Sequence, residues 1–102
     1  MSKFDPNKIP YTEQDALLKK FCRVVSELKT ESVILDFFKD LINRQERIML
    51  VRRYMVAKML SEGKTYSEIQ NKLRVGSTTI SKVDRMLNFG RGGLKKAIKM
   101  HE

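Results

Sequence analysis

Apolar residues recur at three- and four-residue spacing along most of the chain, and no stretch alternates with the period of a strand. Leu17, Leu18, Phe21, Val24, Val25 and Leu28 share one face, which predicts an amphipathic helix to about Lys29. Thr12 is its expected N-cap, with an acid three positions on in "TEQD". A second helix follows the cap Thr30, with Ile34, Leu35, Phe37, Phe38, Leu41 and Ile42 inward. Asn43 and Glu46 in "NRQE" start a third, which runs to about Ser61 and stops at Gly63. Thr65 and Glu68 make a capping box for a short fourth helix, Tyr66–Leu73. Ser77 is the expected N-cap of a fifth, through Met86 or Leu87, with Ile80, Val83 and Leu87 on one face. "NFGRGG" interrupts the pattern before a last helix carrying Leu94, Ala97 and Ile98. Residues 1–11 hold two prolines and no periodicity, and read as a flexible N-terminal arm. Residues 12–102 read as one all-α domain.

The third helix breaks the amphipathic rule. "IMLVRRYMVAKML" spreads apolar side chains round most of its circumference, and a helix apolar on nearly all sides is covered on nearly all sides. A chain of 102 residues has little to cover it with. The expectation is an obligate dimer in which the first three helices share a core, the alternative being a monomer built round the third helix. Six methionines suit a core shared between chains.

The fourth and fifth helices, joined by "RVG", have the helix-turn-helix pattern over about residues 65–87. Packing Ile69, Leu73, Val75, Ile80 and Val83 inward leaves Ser77, Thr78, Thr79, Ser81, Lys82 and Arg85 outward. A helix start presents free amides and positive dipole charge to phosphate. Short hydroxyl side chains let such a helix sit close to a duplex and bond to base edges or phosphates, while lysine and arginine supply backbone contacts. The motif departs from the common form by placing Gln70 and Arg74 where a small residue and glycine are usual. Tyr66 is left with two readings, contact with a phosphate or packing over the end of the third helix.

Charge sharpens this picture. Residues 1–50 carry nine Lys/Arg against eight Asp/Glu, whereas residues 51–102 carry twelve against four. Basic charge gathered in one half points to a polyanionic partner. Few aromatics face outward for base stacking, which favours duplex DNA over single-stranded RNA. No apolar run reaches the length of a membrane span, the N-terminus lacks the apolar core of a signal peptide, and one cysteine makes no internal disulfide, so a cytoplasmic setting is expected. Nothing supports catalysis. The one histidine, His101, stands next to the end of the sequence, no Cys/His set has metal spacing, and "GRGG" lacks the Lys-Ser/Thr ending of a P-loop.

At this point the chain resembles the Trp repressor family, and within it the uncharacterised Trp repressor-like branch of the YerC/YecD type. The likeness covers roughly residues 38–98 and rests on "LINRQERIMLVRR", "EGKTYSEIQNKLRVGSTTISKV" and "LNFGRGG". It implies a Trp repressor-like helical bundle, an intertwined homodimer, and two heads entering successive major grooves of a palindromic operator. It also implies a transcriptional regulator, expected to be a repressor, in the bacterial cytoplasm and on the nucleoid. Gly76, Ser77, Thr78, Thr79 and Ser81 match contact positions of the recognition helix, and Lys72 matches a basic contact on the preceding helix. For the family's tryptophan slot the matching positions are Asn43, Arg53, Lys82 and Val83. Lysine lacks the planar guanidinium that stacks on an indole, and valine crowds a place where the repressor has glycine. L-Tryptophan is therefore not expected as corepressor, and the slot is left to another small molecule or to none. The rival expectation is a helical dimeric protein-interaction module that has lost operator recognition.

Overall fold

The computed structural model describes residues 5–102 as six α-helices with no strand among the described residues. The chain divides into two compact units, one ending at Leu41 and the other spanning Ile42–Glu102.

The first unit holds α1 (Tyr11–Glu27) and α2 (Glu31–Leu41). The segment expected as a loose arm lies outside the described residues up to residue 4. From Asp5 it forms a 3-10 turn, Pro6–Lys8, with the Asp5 carboxylate accepting from the Asn7 amide. Gln14 fastens this turn to α1 by donating to the carbonyls of Pro6 (2.6 Å) and Ile9 (2.7 Å). The N-cap of α1 is Pro10 rather than Thr12, which lies inside the first turn. Proline's fixed φ suits a helix entrance, and the missing N–H falls where no partner is needed. Thr30 does cap α2, accepting from the Val33 amide at 3.3 Å. Phe21 and Phe37 meet with ring centroids 5.8 Å apart. Even so, neither helix contains a buried residue.

The second unit holds α3 (Arg44–Ser61), α4 (Tyr66–Leu73), α5 (Ser77–Phe89) and α6 (Gly93–Met100). Its core is Val56 and Ala57 of α3, Ile69 of α4, Ile80, Val83 and Leu87 of α5 and Ile98 of α6. Leu73 and Val75 pack against that cluster, so all five residues expected to lock the fourth and fifth helices do so. Both capping boxes form: the side chains of Asn43 and Thr65 accept from the amides of Glu46 and Glu68, and each glutamate reaches back. Only the C-terminal half of α3 reaches the core. Ile48, Met49, Leu50 and Val51, one full turn of apolar side chains, are 43–56% exposed.

Candidate nucleic-acid interface

Three local features aim the start of α5 outward. Arg74 ends α4 in the left-handed region (φ 54°, ψ 47°), its amide donating to the Gln70 carbonyl at 2.9 Å. Val75 then turns in against the core. Gly76, extended at φ −78° and ψ 158°, is the N-cap of α5, in place of the expected Ser77. A serine at the first helical position has its backbone already helical, so its hydroxyl does not reach back to cap. Glycine has no side chain to do so either, and among the described residues none caps this helix. The first backbone bond of the helix runs from the Ile80 amide to the Gly76 carbonyl. The amides before it, at Ser77, Thr78 and Thr79, are the donors that any helix start leaves free, and they carry the positive end of the dipole.

Burial separates the two faces cleanly. Ile80 and Val83 are closed off from solvent, while Ser77, Thr78, Ser81, Lys82 and Arg85 are exposed and Thr79 is half-buried. No Cβ would meet any atom within 4 Å at Gly76, which leaves that backbone open to close approach. Lys72 is also exposed, but it lines a separate groove beside Met55, Met59 and Glu68.

Tyr66 has a partner that neither sequence reading named. Its hydroxyl donates to Asp84 Oδ2 at 2.9 Å, tying α4 to α5. Asn88 donates to Asp84 Oδ1 at 2.7 Å and to the Asp84 carbonyl at 2.9 Å. The bond to Asp84 pushes the Tyr66 phenol above its ordinary pKa, burial and the Asp84 charge add to this, and a bond with Ser81 opposes it.

Behind the start of α5, between it and α3, lies a cleft of about 430 Å³. Arg52, Arg53, Arg74 and Lys82 line it over an apolar floor that includes Val75 and Val83, and no carboxylate is among its lining residues. Arg53, Lys82 and Val83 are thus gathered as the resemblance implied. Asn43 is not among them, its side chain being held in the capping box of α3. Sequence reasoning did not assign Arg52 to this slot and gave Arg74 no role beyond its departure from glycine. The signal for Arg74 was that departure. Among the described residues no group of His, Cys, Asp and Glu could hold a metal ion, and no helix is long and apolar enough to cross a membrane.

Comparison with known proteins agrees with this geometry. The family model described as Trp repressor protein matches residues 16–102. The uncharacterised protein YerC of Bacillus subtilis (strain 168) is 40% identical over 62 residues, which are 61% of this chain and 60% of that protein's length. A crystal structure of a TrpR-like protein from Eubacterium eligens superposes with a TM-score of 0.79 at 32% identity, covering 84% of this chain and 89% of that one. A solved chain from Staphylococcus aureus gives a TM-score of 0.79 at 29% identity, covering 84% of this chain and 86% of that one.

Proposed function

This chain belongs to the Trp repressor family, and we propose that it is a sequence-specific transcriptional regulator that binds operator DNA through α4 and α5 as a homodimer. One observation carries the reading. Ile69, Ile80 and Val83 are fully enclosed, and their packing turns an uncapped, hydroxyl-rich helix start outward beside Lys82 and Arg85. Such an end fits a major groove, with amides and cations for phosphates and hydroxyls for base edges. The uncovered apolar turn of α3 supports pairing with a second copy, and two heads related by a twofold axis would read a palindrome about one helical turn apart. Repression would follow from covering promoter DNA, in the bacterial cytoplasm and on the nucleoid.

The cleft behind α5 supports control by a small anion rather than by tryptophan. Arg52, Arg53 and Lys82, with no carboxylate among the lining residues, favour a ligand that brings net negative charge, and Lys82 offers a point charge where indole stacking needs a plane.

The test is selection of genomic fragments by the purified chain, followed by titration of the selected duplex at two salt concentrations. The affinity should fall with a log–log slope of about −0.9 for each phosphate neutralised. Ser77→Ala with Thr79→Ala should abolish selection of a particular sequence and leave the melting temperature nearly unchanged. If no genomic fragment is retained even at low salt, the regulator reading fails and the protein-interaction module takes its place.

A further inference from the structure

Arg74 is placed at a disadvantage twice over. Its backbone is left-handed (φ 54°), where a Cβ crowds the following carbonyl and glycine is the residue that fits. Its side chain is exposed and lines a cleft whose other charged residues, Arg52, Arg53 and Lys82, all repel it. Neither burial nor a carboxylate in that cleft compensates. A non-glycine residue in a sparsely populated region is a pointer to function when nothing in the fold calls for its side chain. An oxyanion at the cleft mouth would relieve the repulsion and use the fork of donors that arginine, unlike glycine, supplies. The cleft mouth adjoins Gly76 and Thr79, which line it as well and belong to the start of α5.

We propose that Arg74 is a DNA-contact residue whose guanidinium clamps a backbone phosphate beside the start of α5. The inference rests on the DNA-binding reading above and adds to it a contact from the turn, outside both helices. A phosphate oxyanion is the shared chemistry of duplex DNA and of a free phosphate ligand, and the structure's placement of Arg74 next to Gly76 favours the duplex.

The test uses the full chain, a duplex it selects, and the variants Arg74→Gly and Arg74→Lys. Arg74→Gly relieves the backbone, so its melting temperature should rise by a few degrees while duplex affinity falls at least tenfold at moderate salt. Its salt slope should be shallower by about 0.9, one phosphate's worth. Arg74→Lys should keep the wild-type slope with a smaller loss of affinity. These opposite movements of stability and affinity set a contact apart from a merely structural role. Equal affinity and slope for Arg74→Gly and wild type would overturn the proposal while leaving the regulator reading intact. A fall in both affinity and melting temperature would also overturn it. A wild type that binds no duplex would remove both. In a parallel melt without DNA, inorganic pyrophosphate should stabilise wild type and Arg74→Gly alike. Stabilisation of wild type alone, with unchanged duplex binding, would assign Arg74 to a free anion instead.

Discussion

The Tyr66 hydroxyl donates to the Asp84 carboxylate at 2.9 Å, joining the first turn of α4 to the middle of α5 across eighteen positions of sequence. Because Asn88 occupies the other carboxylate oxygen, Asp84 is held from both sides and fixes the angle at which the two helices cross. Tyr66→Phe removes the donor and keeps the ring. We expect a small drop in melting temperature and a larger relative loss of duplex affinity, since α5 would lose its set orientation. Calorimetry and a duplex titration on the same preparation check this, and an affinity loss no greater than the stability loss implies would refute the orienting role.

The same bond makes a prediction about pH. Asp84 raises the Tyr66 pKa above the ordinary 10.0, chiefly because ionisation would break the bond. The folded protein then keeps this proton at pH values where the unfolded chain has released it. The stabilisation is complete below pH 10.0 and is lost as the pH climbs through the folded pKa. In a phenolate absorbance titration read as the difference between wild type and Tyr66→Phe, the Tyr66 phenol should ionise above the ordinary 10.0, and Asp84→Ala should lower its midpoint. A Tyr66 midpoint no higher in the wild type than in Asp84→Ala would count against the bond.

Two glycines near α5 should respond oppositely to the same change. A Cβ at Gly90 would run into the Met86 carbonyl, backbone that cannot swing aside. Gly90→Ala should cost about 1–3 kcal/mol, the usual range for forcing extra atoms into a packed site. A Cβ at Gly76 meets nothing within 4 Å and its φ is negative, so Gly76→Ala should leave urea unfolding unchanged. Its effect should show only against DNA, as a weaker complex where the backbone no longer approaches as closely. Equal stability losses in the two variants would contradict this account of the turn.

Ile80 is fully enclosed at the centre of the second unit, one turn from the exposed hydroxyls it helps to aim. Ile80→Ala should cost about 2–5 kcal/mol, a large share of the roughly 5–15 kcal/mol that holds a domain together. Urea unfolding should give a lower midpoint, and DNA binding should disappear with folding instead of being selectively weakened. A variant with a near-native midpoint would mean that the apolar lock is not what positions α5.

The parts of this fold that are local in sequence were legible in it. The capping boxes at Asn43 and Thr65 need only residues three apart, and the inward set of α4 and α5 needs only the helical period. The cap of α5 was misplaced by one residue because a serine at the first helical position and a serine at the cap look alike until the backbone angles are known. Thr12 misled in the same way, Pro10 being the actual entrance. Long-range polar relationships left no trace. Nothing periodic links Tyr66 with Asp84, and Arg52 and Arg74 reach one cleft from separate segments. Arginine's ordinary preference for negative φ also hid the left-handed turn at Arg74.

Leu50 belongs to the turn of α3, Ile48 to Val51, in which all four apolar side chains are between 43% and 56% exposed. Four successive residues point to every side of a helix, so no rotation of α3 could hide them all against one surface. Partner helices on several sides could, and the homodimer proposed above would provide them. In a twofold interface each substitution acts twice. Leu50 has roughly half its side chain left to bury, about 1 kcal/mol per copy, and a carboxylate in its place would add a penalty of several kcal/mol for losing its hydration. Leu50→Glu should therefore weaken dimerisation by at least a hundredfold, lower the melting temperature and remove its dependence on protein concentration. Duplex affinity should fall with it, since one head alone contacts one half-site. Sedimentation equilibrium across a concentration series checks this directly. A wild-type chain that sediments as an 11.9 kDa monomer at every concentration would rule out the paired arrangement.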